Sequence, residues 1–509
     1  MKSNSAQLKG GVLISYFTLV VGNIIPLFYT PYVVRTLGME EYGLYSLAKS
    51  ITDFLILLNL GLGAGVLKYV NQAIAEKDNE ARDNVFTLFV YCHAAIFLAV
   101  LLVGAVISMG AGNIFGAIPP DLHLKLRILI GVVTISTALS MFSSVYTAVV
   151  QAHQRFVFAK LAGLLVTFIV PALSAFLLWV GYRSVAMVTA GALIGILYGA
   201  AHLIYVHRVL GIRFVFGELD TTPLKSIFHF SKYILLGAIA NTLFAATDRV
   251  LLGMYASASA IAVYSVGVTF CLYFETMVRN ISDLLFPKIN TMLAQGANMH
   301  ELDSLILKVG RLQSIFLGLI LCGFIVLGDD FLSLWVGAEY ESAYWIALLV
   351  MVPVSIPLLQ SCGPSALRAM NKHGFRSWVF CFIAILNVIG SLWAVQRWGA
   401  VGCAAVTCVS YLIGPVIIMN IYYRVKIGLD IASFWRSIFR MSGAFIVMLS
   451  AGLALKPYLM LDGWVQFFAT AGCFSALYCV ILWFTGLNRY EKGMILGFLS
   501  KLNLSRRET

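Results

Sequence analysis

The stretch Asn241–Gly267, NTLFAATDRVLLGMYASASAIAVYSVG, sets an acid and a base, Asp248 and Arg249, inside an apolar run long enough to cross a bilayer. Its surroundings are of the same kind. The chain has 509 residues, of which 60% are hydrophobic and 11% charged, and its mean hydropathy is +0.90. So few charges cannot cover the surface of a soluble protein of this length. The chain therefore reads as an all-α integral membrane protein.

Runs of about 20 apolar residues, enough to span roughly 30 Å of hydrocarbon, fall near 11–34, 43–67, 85–109, 124–150, 157–180 and 184–206, then near 227–252, 259–284, 305–328, 343–365, 375–395 and 400–423, and last near 435–455 and 463–486. That is about 14 transmembrane helices. The first run is too long for a signal-peptide core and no small-x-small cleavage pattern follows it, so it reads as a retained helix. The nine cysteines lie in apolar runs without disulfide or zinc-ligand spacing and read as small buried residues.

The formal charge is +12. With a cytoplasmic amino terminus, most Lys and Arg fall in the cytoplasmic flanks and loops, which places both termini in the cytoplasm. The basic excess is a topology signal, and no nucleic acid partner is expected.

The opening stretch has an echo in RTLGMEEYGLYSLA: Leu37-Gly38-Met39 and Tyr45-Ser46 match Leu252-Gly253-Met254 and Tyr264-Ser265. Gly116 against Gly337, and Gly181, Val188 and Thr189 against Gly399, Val406 and Thr407, keep nearly the same offset. Such a period argues for an internal repeat. Six spans per copy make the copies parallel, with a pseudo-two-fold axis along the membrane normal and a substrate site expected between them. The expected division is an N-terminal lobe over 1–210, a C-terminal lobe over 211–430, and two further helices with a cytoplasmic tail over 431–509.

Charges inside the spans cost about 3 kcal/mol each at the bilayer centre, so they should face protein or water. Lys49 and Asp53 stand four apart, and Glu275, Arg279 and Asp283 form an i, i+4, i+8 ladder; each set lies on one helix face and can pair internally. Asn241 and Asp248 share a face, and Lys232 stands on the same run. Packing alone would explain a self-neutralised pair, whereas the ladder holds more charge than packing requires and reads as pathway lining. His93 and His202 read as packing residues. Asp329, Asp330, Glu339 and Glu341 read as a solvated rim, with Trp335, Tyr340, Tyr344 and Trp345 as an interfacial aromatic belt. No G-x-x-x-x-G-K-[ST] motif occurs, so no nucleotide cofactor is expected.

PYVVRTLGMEEYGLYSLAKSITDFLILLNLGLGAGVLKYV, TDRVLLGMY followed by VYSVG, and LWVGAEYESAYWIALLVMVP together resemble the Wzx-type polysaccharide repeat-unit flippases. These belong to the superfamily of the multidrug/toxin extrusion (MATE) transporters and the lipid II flippase. The resemblance implies two six-helix lobes plus two C-terminal helices in a bacterial cytoplasmic (inner) membrane. It implies a non-enzymatic transporter that moves undecaprenyl-pyrophosphate-linked oligosaccharide outward for O-antigen, capsule or exopolysaccharide synthesis, by alternating access coupled to H+ or Na+, beside a polysaccharide polymerase machinery. By position, Arg35, Lys49 and Arg279 match bases that line the head-group cavity of the lipid II flippase. Asp53, Asp248, Arg249, Glu275 and Asp283 complete the candidate pathway set, and one of its acids would bind the coupling ion. A pyrophosphate site should be net positive, yet the charges singled out inside the spans sum to zero. A multidrug exporter of the same fold, usually with 12 spans, and a membrane glycosyltransferase or polymerase are the competing classes. The latter would carry a large extramembrane loop or clustered acids for a metal, which are missing from this sequence.

Overall fold

A computed structural model describes residues 2–215, 221, 223–283, 291–292, 299–370, 374–459, 461, 463–493 and 496. Every regular element among them is helical. The α-helices are α1 Lys2–Ile56, α2 Leu62–Ala75, α3 Asn79–Ile114, α4 Pro120–Ala152, α5 Phe156–Trp179, α6 Ser184–Arg208, α7 Pro223–Tyr255, α8 Ala258–Asp283, α9 Met299–Trp335, α10 Ser342–Leu359, α11 Cys362–Ala369, α12 Gly374–Tyr411, α13 Met419–Tyr422, α14 Ile431–Leu455 and α15 Trp464–Thr485. Eleven described stretches are long and apolar enough to cross a membrane. One of these, Gly374–Ile427, has 54 residues, about 80 Å of helix at 1.5 Å per residue and so too long for a single crossing. It is broken at Gly399 (φ 55°, ψ −135°). Gly38 (φ 76°, ψ 173°) breaks α1 in the same way. These are positions where only a residue without a Cβ turns the chain cheaply. Gly181 and Gly399, paired by the sequence period, both stand at positive φ.

The second span differs from the continuous run expected over 43–67. The helix tightens into a 3-10 turn at Leu57–Asn59 and breaks at Leu60 (φ 52°) and Gly61 (φ 71°) before α2 begins. A leucine in the left-handed region costs energy, and the hydropathy of LLNLGLG, which carries no information on backbone dihedrals, did not betray the break. Farther on, the helix after α12 opens into two π-helical segments, Leu412–Ile418 and Tyr423–Ile427, flanking α13.

Contacts divide the chain into two compact units, Met1–Val266 with Gly374–Ser410, and Gly267–His373 with Tyr411–Thr509. In the first, small residues set the helix spacing. A Cβ on Gly43 of α1 would stand 1.9 Å from the Ala258 carbonyl oxygen at the start of α8. Gly43→Ala must therefore push the two backbones apart, and overpacking of this kind costs about 1–3 kcal/mol. We expect a lower thermal midpoint for the purified G43A protein. An unchanged midpoint would show that the close approach is not held in solution.

In the second unit, Met441, Met448, Tyr478 and Leu482 form a core between α14 and α15, and the Tyr478 hydroxyl donates to the Ile315 carbonyl of α9 at 2.9 Å. Trp335, Tyr340 and Tyr344 are buried, while Trp345 is exposed. The Trp335 ring packs on Phe331 and the Tyr344 ring on Phe324. Cys473 and Cys479 are exposed, unlike the buried role expected of all nine cysteines. Asp329 is ion-paired with Lys456, so one member of the acidic rim has a fixed partner.

Candidate functional site

Asp248 lies about two turns before the end of α7 and is 2% exposed. Its carboxylate accepts from the Tyr264 hydroxyl of α8 and from Thr407 Oγ1 of α12 at 3.1 Å. Asn387 Nδ2, also on α12, donates to Thr407 Oγ1 at 3.1 Å and to Ser410 Oγ at 3.2 Å. Ser391 stands close enough to interact with the Asp248 carboxylate, yet Asp248 Oδ1, Asn387 Oδ1 and Ser391 Oγ are all buried without a hydrogen bond of ordinary geometry. All of these groups belong to the first unit. An anionic group among neutral donors, with orphaned oxygens around it, is an expensive arrangement in a dry interior. Hard oxygen donors converging on one carboxylate are the chemistry that holds a proton or a small hard cation such as Na+.

The other charges divide by exposure. Arg249 is 8% exposed and donates from Nη1 to Ser50 Oγ at 3.2 Å. Its charge also acts on Asp53, one turn beyond Ser50 on α1. Lys49 is exposed and Asp53 half-buried, and no ion pair within 4 Å joins them among the described residues. The i, i+4 spacing permits that pairing; the field of Arg249 gives Asp53 another partner. Glu275 and Arg279 do pair, at 3.1 Å, with Arg279 exposed. Arg35 is exposed. The side chains of Asp283 and Lys232 lie outside the described residues.

Two charged centres escaped the reading of the sequence. Glu41, between the first two spans, accepts the Ser184 N–H at 3.0 Å and the Ser184 hydroxyl at 2.6 Å, and pairs with Lys125 at 3.2 Å. It thereby caps α6 from a distant helix and satisfies a backbone donor that α6 leaves open. Burial pushes its carboxyl up, but the Ser184 and Lys125 hydrogen bonds outweigh burial and hold it below the usual glutamate value. A carboxylate with a depressed folded pKa stabilises the fold above its unfolded pKa, and that contribution is lost as pH falls through the folded value. Thermal melts should therefore show wild-type stability dropping as pH falls below the ordinary glutamate value of 4.5, and Glu41→Gln should flatten that drop. A Glu41→Gln profile parallel to wild type would overturn this.

Arg311 of α9 is the other. Its Nε and Nη2 meet Glu491 Oε1 and Oε2 at 2.6 and 2.8 Å, Nη2 also donates to the Gly486 carbonyl at 2.9 Å, and Nη1 donates to the Ser437 carbonyl and hydroxyl at 3.0 and 3.1 Å. Glu491 and Asn488 exchange N–H bonds at 2.9 Å in each direction, a capping box for the chain's last described turn. Arg311 sits within the expected span 305–328, so a charge inside an apolar run was the signal available for it. Nothing local announced Glu491 or Glu41.

The described chain thus combines eleven stretches long and apolar enough to cross a membrane with a buried carboxylate centre at Asp248. The sequence matches the family described as "Polysaccharide biosynthesis protein" over residues 8–293, and the chain belongs to that family. It is 21% identical over 478 residues to a Bacillus subtilis protein named "Uncharacterized membrane protein EpsK", covering 92% of this chain and 93% of that one. It is 21% identical over 445 residues to a Haloferax volcanii protein named "Probable flippase AglR", covering 86% and 87%. Among solved structures, "Lipid II flippase MurJ, inward closed conformation" aligns with a TM-score of 0.73 at 14% identity, covering 92% of this chain and 97% of that chain. The fold resemblance drawn from the sequence motifs therefore holds over almost the whole length.

Proposed function

We propose that this protein is a flippase that moves undecaprenyl-pyrophosphate-linked oligosaccharide repeat units from the cytoplasmic to the outer leaflet of a bacterial inner membrane, and that it is a transporter rather than an enzyme. The observation that carries the reading is membership of a polysaccharide-biosynthesis family in a chain whose fold is similar to that of a lipid II flippase. The physics agrees. A polyprenyl tail can stay in lipid while its sugar head cannot cross hydrocarbon unaided, so export of such a molecule needs a polar route and two states that open to opposite sides.

Asp248 is the acid we assign to the coupling H+ or Na+, because among the described residues it is the one buried carboxylate of the pathway set with orphaned oxygens around it. Arg35 and Lys49 are exposed bases of the first unit and are the ones we assign to a pyrophosphate; Arg279, an exposed base of the second unit, is a separate candidate. Glu275 then acts as the counter-charge that Arg279 exchanges for phosphate during transport. Deleting the gene should abolish surface polymer and leave lipid-linked repeat units on the cytoplasmic face, detected by extraction from inverted vesicles. Continued polymer synthesis, or repeat units accumulating on the outer face, would reject the flippase and favour a polymerase or a drug exporter.

A further inference from the structure

Away from the charged centres, α4, α5 and α6 border an open cleft of about 540 Å³ whose polar lining is Ser140, Ser143, Ser144, Thr147, Gln151 and Tyr198, with Ala148, Val166, Gly163 and Gly195 as its apolar walls. The polar residues of α4 follow i, i+3, i+4, i+7 and i+11 spacing, so one face of that helix turns its hydroxyls and amide into the cleft. The hydroxyl hydrogens of Ser143 and Ser144 are spent on carbonyls of their own helix, at 3.0 Å to Ser140 and 2.7 Å to Met141. Their oxygens remain as acceptors. Thr147 interacts with the Tyr198 hydroxyl, and Gln151 offers both a donor and an acceptor. No charged side chain lines the cleft.

That combination selects a chemistry. A phosphate or a metal cation would want opposite charge, and an acyl chain would leave the Gln151 amide and the acceptor oxygens of Ser143 and Ser144 facing hydrocarbon. A neutral polyol, carrying a donor and acceptor on every hydroxyl, matches alternating serine, amide and phenol groups. We propose that this cleft is the saccharide subsite of the transporter, holding neutral sugar hydroxyls of the repeat unit apart from the bases that take the pyrophosphate. The inference rests on the flippase reading above.

The two wall glycines supply a test that spares the core. A Cβ on Gly163 or on Gly195 meets nothing within 4 Å, both glycines lie inside helices, and leucine is a better helix former than glycine. Gly163→Leu and Gly195→Leu should therefore fold, with the new side chain occupying the cleft. Binding is measured by native mass spectrometry on protein in lipid nanodiscs, with two probes: undecaprenyl pyrophosphate bearing the repeat unit, isolated from cells with the gene deleted, and bare undecaprenyl pyrophosphate. The wild-type protein should bind the sugar-bearing lipid at least about tenfold more tightly, the effect of one or two net hydrogen bonds. Gly163→Leu, Gly195→Leu and the isosteric Thr147→Val should bring that preference to within about twofold while leaving the bare lipid bound as before. A preference that survives in all three variants, or is missing in the wild type, overturns the subsite alone. A wild-type protein that binds neither lipid overturns the flippase reading itself.

Discussion

Asp248→Asn should abolish the dependence of transport on an imposed proton or sodium gradient and lower the transport rate by at least about tenfold, a change worth 1.4 kcal/mol or more in the barrier. Asparagine keeps the size of the side chain and can still accept from the Tyr264 hydroxyl and Thr407, so the packing of α7 against α8 and α12 should survive. What it removes is the negative charge at the centre of Asn387, Ser391 and Thr407. Thr407→Val, which deletes one oxygen at the same centre without touching charge, should weaken gradient dependence rather than abolish it. Uptake of the lipid-linked substrate into inverted vesicles, measured with proton and sodium gradients applied separately, reads both variants and also names the ion. If Asp248→Asn vesicles transport as the wild type does under both gradients, the coupling ion binds elsewhere and Asp53 and Glu275 become the remaining described candidates.

Breaking the Arg311–Glu491 pair should be the most destabilising single change in the second unit. Both partners are 6% exposed, and all the guanidinium nitrogens are engaged. Removing either partner strands the other charge in a dry site, which costs about 3–5 kcal/mol. Arg311→Ala and Glu491→Ala should each lower the thermal midpoint in detergent and reduce the membrane-inserted yield. Arg311→Lys should fall between them and the wild type, because an ammonium cannot reproduce the two-pronged contact. The informative control is the double change Arg311→Met with Glu491→Leu, which removes both charges and keeps much of the volume. It should be more stable than either single variant. A double variant as unstable as the singles would mean that packing, not stranded charge, sets the cost.

The apolar runs made the membrane fold readable in advance, because about 20 consecutive hydrophobic residues leave few alternatives to a spanning helix. The cost of burying Asp248 was readable for the same reason, and Glu275 and Arg279 meet as their i, i+4 spacing suggests. Contacts across the chain were not readable. Asp248 meets Thr407 across 159 positions, and Arg311 meets Glu491 across 180. Asn387 and Ser391 look like ordinary polar residues within an apolar helix until the fold turns them toward one carboxylate. Lys49 and Asp53 show a mixed case. Their spacing lets the Lys49 charge act on Asp53, and Arg249, about 200 residues away in sequence, acts on it as well. Local spacing governs what can meet within one helix; tertiary packing decides what does.

The π-helical segments after α12 bear on which sequence changes this family can tolerate. A π-turn holds one residue more than an α-turn, so the loss of a single residue from Leu412–Ile418 is absorbed as the segment relaxes to ordinary helix, whereas the same loss from the regular stretch of α12 after Gly399 rotates everything downstream by about 100°. In that second case Asn420, whose side-chain Oδ1 accepts from Gln360 Nε2 at 2.8 Å and from the Trp435 indole at 2.9 Å, swings away from both. Both deletions leave hydropathy almost untouched, so where a residue is lost, rather than its apolar character, decides whether the helix stays in phase.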